Sequence, residues 1–219
     1  MNFIIIAATG RSGSTTLQRI INSIPNSNIT GEKWGAIEDL LNCYKNIKET
    51  TSYSPKNNDD ELLTMDEMIK ANIKPAWYNC FYLEEVKNNI KNTIISILVR
   101  SESISNYRII GYKEIRFFNK LHLLDEFVEL FPNTKIICHL SDNLERQCKS
   151  DWWKLDENSK QHLLDYNNQL INYPSNKDNC YLSYMKNLFD INEIEKMFLF
   201  LGEKLNKEEY DLIISNSLE

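Results

Sequence analysis

Short apolar runs alternate with amphipathic segments along the chain, and this alternation predicts an α/β fold. Residues 3–8 (FIIIAA) and 135–140 (KIICHL) are short, mostly apolar runs that are rich in isoleucine. Strands that are buried on both faces of a parallel sheet have this composition. The segment after the first run instead places its apolar residues at helical spacing, at Leu17, Ile20, Ile21 and Ile24. We therefore predict a central, mainly parallel sheet flanked by helices.

The same reasoning divides the rest of the chain into strands and helices. The predicted strands are residues 3–8, 27–30, 108–113, 135–140 and 180–184. After a first helix that ends before Pro25, the predicted helices are residues 36–47, 62–71, 82–98, 120–130, 142–153, 155–173, 191–201 and 207–214. No internal repeat and no change in composition marks a boundary, so we predict a single domain over residues 1–219.

Residues 48–61 (KETTSYSPKNNDDE) interrupt this pattern. The segment is rich in polar residues and has almost no apolar side chain to anchor it. We predict a mobile surface loop, and a lid over an active site is one function that such a loop performs. A plain disordered connection is equally compatible with the composition.

The charge and the cysteines of the chain narrow the classes of partner. The 219 residues carry a formal net charge of −6, so the overall basic field that binds nucleic acid or anionic membranes is absent. No apolar stretch reaches membrane-spanning length, and the run at 3–8 is too short for a signal peptide. The five cysteines are scattered, unlike those of disulfide frameworks or zinc sites. We predict a soluble cytoplasmic protein.

The segment 9–15 (TGRSGST), at the end of the first predicted strand, has the features of an anion-binding loop. Ligands of open α/β sheets lie beyond the carboxyl ends of the strands. Gly10 and Gly13 allow a sharp turn and a close approach of the ligand, and amides at the start of the next helix attract anions. Arg11 adds a fixed positive charge, and hydroxyl groups follow at Ser12, Ser14, Thr15 and Thr16. We predict that this loop binds a phosphate-bearing nucleotide.

This loop is not a Walker A motif. It lacks the Gly-Lys-Ser/Thr ending, and with it the P-loop lysine and the usual magnesium-binding hydroxyl. The alternative interpretation is a Gly/Ser turn that merely caps a helix. The position of the loop between a buried strand and a helix favours nucleotide binding.

Residues 3–17 (FIIIAATGRSGSTTL) resemble the 5′-phosphosulfate loop of sulfotransferases, which use 3′-phosphoadenosine 5′-phosphosulfate (PAPS). Gly31-Glu32 falls where several bacterial and tyrosine-protein members of that family have a Gly-Glu after the second strand. Residues 111–117 (GYKEIRF) and 131–137 (FPNTKII) resemble further segments of the family. Similar segments close the chain at 184–188 and 200–202. Because the resemblance covers nearly the whole chain, it implies the P-loop nucleotide-kinase-like fold of the family.

The resemblance also implies roles for the residues of the loop. Sulfuryl transfer depends on positioning the reactants and on stabilising charge at the leaving phosphate. Arg11 would bind the 5′-phosphosulfate and stabilise that leaving group. The same phosphate would be cradled by Gly10, Ser12, Gly13, Ser14, Thr15 and Thr16.

By the same resemblance, Glu32 would be the general base that accepts the proton of the acceptor hydroxyl, with Glu114 as a reserve candidate. Lys113 and Arg116 are candidates for contacting the sulfate or the acceptor. Alternation along an extended segment separates Lys113 from Glu114, so not all of these side chains face the ligand. The alternative interpretation is that these charged side chains lie at the surface in solvent and have no role in binding or catalysis.

The 3′-phosphate motif departs from the family pattern, which has an arginine just after the strand and a serine in the next helix. Ser150 matches the serine, but the arginine position holds Ser141 or Asp142. Asp142 would repel a phosphate, so Arg146 or Lys149 would have to compensate from the helix. We therefore predict a rearranged 3′-phosphate site that includes Ser150 and Arg146.

The remaining chemistry-bearing residues suggest structural roles. His122 and His139 match no histidine base of the family, and no cluster of His, Cys and Asp has the spacing of metal ligands, so we predict no bound metal. Four tryptophans could form an aromatic wall for a sugar or another ring, but core packing is the expectation for them: Trp34, Trp77, Trp152 and Trp153.

Three functions stay open at this point. The predicted one is a PAPS-dependent sulfotransferase that acts on a hydroxyl of a sugar or small molecule, with no nucleic acid or membrane as partner. The second is a degenerate, non-catalytic member of the family that binds an anion or nucleotide. The third is a P-loop phosphotransferase, which the missing lysine disfavours. The oligomeric state cannot be read from the sequence.

Overall fold

A five-stranded parallel β-sheet forms the centre of the computed structural model, which describes residues 1–73, 82–150, 153–154 and 158–216. Its strand order is β2-β3-β1-β4-β5, and each neighbouring pair is parallel. The strands are β1 (Asn2–Ala8), β2 (Ser27–Thr30), β3 (Ile109–Glu114), β4 (Thr134–Leu140) and β5 (Cys180–Tyr184). The predicted α/β class with a parallel sheet is therefore confirmed.

Helices cover both faces of this sheet. They are α1 (Ser14–Ile21), α2 (Ala36–Thr51), α3 (Met65–Lys70), α4 (Leu83–Leu98), α5 (Leu123–Leu130), α6 (Leu144–Cys148), α7 (Ser159–Asn172), α8 (Ile191–Leu201) and α9 (Lys207–Ser215). Two short 3₁₀ helices occupy Ser101–Asn106 and Met185–Phe189. Helices α2, α4, α5 and α7 contribute to one apolar core, and α1, α8 and α9 contribute to the other.

The central strand β1 explains why two cores form. Its side chains alternate, as strand geometry requires. Phe3 and Ile5 belong to the core that contains α2 and α4, whereas Ile4 and Ile6 belong to the core that contains α1 and α8. The continuous apolar run predicted this double burial. Strands β3 and β4 lie on either side of β1, so the strand order reverses at β1. The loop after β1 therefore lies at the topological switch point, which is the usual ligand position in such sheets.

Strand and helix bounds agree closely with the sequence pattern in several places, and other elements differ. Helices α3 and α5 each begin three residues later than predicted. The strands β2 and β5 and the helix α8 have the predicted bounds. The helix predicted over 142–153 is much shorter, because α6 ends at Cys148. Of the two predicted caps it uses Asn143, whose side chain accepts a hydrogen bond from the amide of Arg146 at 2.9 Å.

The predicted loop at 48–61 begins later than expected. Helix α2 continues to Thr51, and Lys48 pairs with Glu126 at 2.6 Å. This tertiary ion pair extends a helix that composition alone would have ended. Beyond α2 the chain forms a turn in which the amide of Leu63 donates to the carbonyl of Pro55 at 3.0 Å. The mobility of the segment stays a prediction.

The glycine in the middle of β3 is required by the packing of the sheet. Gly111 lies opposite Ile4 of β1, and a Cβ at this position would lie 1.7 Å from the carbonyl oxygen of Ile4. Gly111→Ala must push two central strands apart, so we expect it to lower the free energy of unfolding by about 3 kcal/mol in urea titrations. Gly31→Ala is the matched control, because a Cβ there meets nothing within 4 Å. Equal losses in the two variants would contradict this explanation.

Candidate active site

The loop between β1 and α1 leads into a helix whose first backbone amides are unpaired among the described residues. Arg11 and Gly13 adopt left-handed backbone angles, with φ of 62° and 82°. Helix α1 has no side-chain hydrogen bond at its N-cap, Gly13. The amides of its first turn, Ser14, Thr15 and Thr16, therefore have no intrahelical acceptor, and among the described residues they have no other. Unpaired amides and the helix dipole together make an anion-binding site.

Two side chains behind the loop hold its carbonyl groups. His139, at the end of β4, lies 2.9 Å through Nε2 from the carbonyl oxygen of Ser12. Gln147 of α6 donates from Nε2 to the carbonyl oxygen of Gly10 at 2.7 Å and to Thr9 Oγ1 at 3.0 Å. Because these carbonyls are satisfied from the buried side, the amides are left for a ligand.

The tautomer of His139 follows from its partners. A carbonyl can only accept, so Nε2 carries the proton and Nδ1 accepts from the Ser183 hydroxyl at 3.2 Å. Burial lowers the pKa of His139 to about 4, although the bond to the Ser12 carbonyl opposes that shift. The residue is thus neutral near neutral pH and supports the loop, in agreement with the predicted structural role.

A cleft of about 480 Å³ opens in front of the loop. Its described lining includes most of the predicted site residues, namely Gly10, Arg11, Gly13, Ser14, Thr15, Thr16, Glu32, Lys113 and Arg146. Apolar side chains complete the lining: Ile115, Trp153, Met185, Leu188 and Phe189. Arg11 is exposed, and within the described part of the chain it has no ion-pair partner. The loop thus presents a free positive charge to the cleft.

Glu32 enters the same cleft as the acidic member of an ion-pair network. Its carboxylate accepts from Lys113 Nζ at 2.6 Å and from Arg116 at 2.9 Å. Burial by itself raises the pKa of Glu32, but the hydrogen bonds and charges of Lys113 and Arg116 lower it below its usual value. Glu32 is therefore ionised near neutral pH. Sequence reasoning placed these residues in one region, but it did not predict that they pair directly.

Glu114, the reserve candidate for the base, is already committed to other partners. It is fully buried, and its Oε2 accepts from the amide of Lys33 at 3.0 Å. Its Oε1 accepts from the amide of Ile115 and from Arg116, both at 2.9 Å. Lys113 lines the cleft and Glu114 does not, as strand alternation predicted. Glu114 instead anchors Arg116, which bridges it to Glu32.

The residues around the predicted 3′-phosphate site are only partly in the cleft. Arg146 lines it, whereas Ser150 does not. The Oγ atom of Ser150 is buried and has no hydrogen-bond partner within the described ranges. The hydroxyl of Ser141 accepts from the amide of Asn143 at 3.1 Å, and Asp142 is exposed outside the described lining. Ser12 is likewise fully buried and outside that lining.

The expectation that the tryptophans pack in the core is wrong for Trp34. Its side chain is 77 % exposed, and its ring lies 4.4 Å from the Arg116 guanidinium carbon. Trp153 lines the cleft, with Nε1 3.5 Å from where a Cβ on Gly10 would be. Trp77 and Trp152 lie outside the described residues.

A buried carboxyl behind the site gives the fold a pH dependence. Glu38 of α2 is only 1 % exposed, and its Oε2 lacks a hydrogen-bond partner in the described structure. Burial raises the pKa of Glu38 to about 7, and the charge of Glu114 adds to the effect. Because the folded state binds this proton more tightly than the unfolded state does, stability falls as pH rises from the usual value of 4.5 to about 7.

This linkage predicts the behaviour of Glu38→Gln. The variant keeps the shape of the protonated side chain and cannot ionise, so it should lose that part of the pH dependence. We expect it to exceed the wild type in free energy of unfolding by up to about 3 kcal/mol near pH 8, and by much less near pH 5. Urea titrations at the two pH values measure the difference. An advantage that is equal at both would contradict the assignment.

Within the described residues, no helix is both long and apolar enough to span a bilayer. The same part of the chain contains no group of three or more His, Cys, Asp or Glu side chains that could hold a metal ion.

A parallel sheet, with a glycine-containing loop that joins its central strand to an uncapped helix, is typical of P-loop-like α/β proteins. A profile described as "Sulfotransferase family" matches residues 3–189. The chain therefore belongs to the sulfotransferase family. Membership of this family and the shared fold support sulfuryl transfer as its general activity.

Comparison with solved structures supports the fold. The sulfotransferase domain from the curacin biosynthetic pathway aligns over 95 % of this chain and 76 % of its own length, with a TM-score of 0.55 and 16 % identity. The sulfotransferase domain of the Synechococcus PCC 7002 olefin synthase aligns over 95 % and 75 %, with a TM-score of 0.56 and 16 % identity. A sulfotransferase from Alicyclobacillus acidocaldarius aligns over 93 % and 82 %, with a TM-score of 0.51 and 10 % identity.

These similarities confirm the predicted P-loop nucleotide-kinase-like fold. Because the sequence identities are only 10–16 %, these structural similarities support the fold and nothing further about function. A comparison with curated proteins finds no match.

Proposed function

We propose that this chain is an active sulfotransferase that transfers the sulfuryl group of PAPS to a hydroxyl group of a sugar or small molecule. One observation carries the proposal: a single cleft is lined both by Arg11 with the loop amides and by the ionised Glu32 with Lys113. Arg11 and the loop amides suit a leaving phosphate. Glu32 and Lys113 suit an acceptor hydroxyl that must lose its proton. The proposal keeps the cytoplasmic location and the lack of a bound metal that the sequence predicts.

The residues of the cleft fit the nucleotide at its phosphosulfate end. The loop contains no carboxylate, its amides are available, and its one guanidinium is exposed. For the 3′-phosphate the chain offers Arg146 in the cleft and the buried, unpartnered hydroxyl of Ser150. PAPS would supply the activated sulfuryl group, and every other contribution comes from residues of this chain.

The proposed step conserves atoms and charge. The acceptor oxygen forms a bond to sulfur while the bond between sulfur and the 5′-phosphate oxygen breaks, and the bonding pair stays on that phosphate. Arg11 and the amides of Ser14 and Thr15 stabilise the growing negative charge. Glu32 accepts the proton of the acceptor hydroxyl. Lys113 lies 2.6 Å from Glu32 and lines the cleft, and this supports a role for its ammonium group in binding the sulfuryl oxygens.

The second candidate is a non-catalytic member of the family that only binds the nucleotide. The observation that favours it is the double pairing of Glu32 with Lys113 and Arg116, since a carboxylate held by two cations is a weaker base. Under this alternative the loop still binds an anion, and no product forms.

One assay separates the two candidates. The purified chain is incubated with PAPS and a panel of sugars, phenols and aliphatic alcohols, and release of 3′-phosphoadenosine 5′-phosphate is measured. Calorimetry with 3′-phosphoadenosine 5′-phosphate measures binding independently. Acceptor-dependent release supports the proposal, and binding without release supports the non-catalytic alternative. Failure to bind either nucleotide would overturn both.

A further inference from the structure

The exposed tryptophan beside the general-base candidate is placed unusually for its residue type. Trp34 has a φ of 56°, in the left-handed region. Bulky residues rarely adopt this conformation, because it strains the backbone. The ring is 77 % exposed, so little burial of apolar surface offsets that strain. Backbone strain of this kind clusters at active sites and ligand clamps, and here it holds an exposed aromatic ring two residues from Glu32.

The orientation of the ring is set by the ion-pair network of the site. The Arg116 guanidinium lies 4.4 Å from the ring centroid of Trp34. That guanidinium is itself held by Glu32 and Glu114, both at 2.9 Å. One face of the indole is thus tied, through a single guanidinium, to the carboxylate proposed as the base. Trp34 is outside the described lining of the cleft, and its high exposure leaves the outer surface of the side chain to solvent.

We propose that Trp34 is the acceptor platform of this enzyme and stacks an electron-rich aromatic ring whose phenolic hydroxyl then reaches Glu32. The inference rests on the proposed sulfotransferase function and narrows its acceptor to aryl hydroxyl compounds. A cation on the inner face draws π density toward itself, because it interacts with the ring quadrupole. The outer face then favours stacking with an electron-rich ring over contact with the C–H groups of a sugar.

The chemistry of the base points to the same acceptor. Lys113 and Arg116 outweigh burial and hold the pKa of Glu32 below its usual value, so Glu32 is a weak base. Proton transfer becomes easier as the pKa of the donor hydroxyl comes closer to the pKa of the base that receives the proton. A phenol has a pKa of about 10, whereas an aliphatic alcohol is a far weaker acid. A weak carboxylate base therefore suits an aryl hydroxyl.

The test compares 4-methylphenol with its saturated analogue 4-methylcyclohexanol and with methyl glucoside, using PAPS and the full chain. We expect 4-methylphenol to be the best of the three acceptors. Trp34→Ala should lower kcat/KM for 4-methylphenol about tenfold, mainly through KM, which corresponds to one aromatic stacking contact. Trp34→Phe should keep most of the activity. For 4-methylcyclohexanol, Trp34→Ala should have little effect.

The chain provides a control near the C-terminal end of α8. Leu199 is also a large apolar residue with an exposed side chain, at 79 %. Leu199→Ala should leave all three acceptors unchanged. Equal losses for the phenol and the saturated alcohol in Trp34→Ala, or no loss for either, would overturn the inference.

A second readout does not depend on turnover. Saturation-transfer NMR of the protein with 3′-phosphoadenosine 5′-phosphate should show binding of 4-methylphenol that Trp34→Ala weakens and Leu199→Ala does not. Absence of this contrast would also overturn the inference. Nucleotide binding by calorimetry should be the same in the wild type and in Trp34→Ala. If the wild type failed to bind the nucleotide, the proposed sulfotransferase function would be wrong. If it bound the nucleotide but showed no contrast between the variants for 4-methylphenol, only the inference about Trp34 would be wrong.

Discussion

Replacing Arg11 by alanine is expected to lower kcat/KM for sulfuryl transfer about 10³-fold, because removing one preorganised donor from a developing negative charge has this order of effect. Arg11 is an exposed cation of the loop and lines the cleft. The amides of Ser14 and Thr15 remain in the variant, so a residual rate should persist. Initial rates of 3′-phosphoadenosine 5′-phosphate release measure the loss.

Controls separate this role from a structural one. Alanine carries the same Cβ as arginine, so the left-handed backbone at φ of 62° is no more strained in Arg11→Ala. Arg11→Lys should recover part of the rate, since it keeps the charge and loses the bidentate geometry. Arg19→Ala is the matched control, because Arg19 is also exposed and lies on α1 outside the described lining of the cleft. A rate for Arg11→Ala close to that of Arg19→Ala would refute the assignment.

The sequence could predict the segment from β1 through the loop to α1, because local interactions along the chain form this segment. In the segment from β1 through the loop to α1, the apolar run sets a buried strand and the glycines set the turn. The next residues then start a helix whose amides are unpaired. Each step depends on neighbours only a few residues away. The strand, the loop and the uncapped helix could therefore be placed from the sequence, whereas anion binding by Arg11 stays a prediction.

The network behind and beside the loop could not be predicted in the same way. Glu32 and Lys113 are 81 positions apart in the sequence, and Gln147 is 137 positions from the Gly10 carbonyl that it holds. Such pairs depend on which strands become neighbours, and no periodicity encodes them. Gln147 also acts on a backbone carbonyl, which is the same group in every residue, so its partner leaves no signal in the sequence.

Trp34 shows a different limit of sequence reasoning. Its residue type favours burial, and burial was the expectation. The left-handed backbone at Trp34 and at Gly35 turns the chain just before α2, and the ring is left at the surface on Arg116. Only the three-dimensional structure shows that an aromatic side chain has been left exposed where the general-base candidate lies.

Replacing Glu32 by glutamine should lower kcat about 10³-fold, because loss of a positioned general base has an effect of 10²- to 10⁴-fold. Glutamine keeps the size of the side chain and cannot accept the acceptor proton. It also leaves Lys113 without its ion-pair partner at 2.6 Å. The double variant Glu32→Gln/Lys113→Met removes that unpaired charge. If Glu32 only balanced the charge of Lys113, the double variant would be as active as Lys113→Met alone, whereas the role of base predicts that it is far less active than that single variant.

The pH dependence of kcat/KM tests the same assignment without removing the base. Since Lys113 and Arg116 hold the pKa of Glu32 below 4.5, the carboxylate should stay ionised, and the wild type active, until the pH falls below that value. Lys113→Met removes one of the two cations that oppose burial, so the acidic limb should move to higher pH. His139, with its pKa lowered by burial to about 4, titrates in both proteins and cannot account for a difference between them. An acidic limb at the same pH in both would show that the pair does not control the reacting proton.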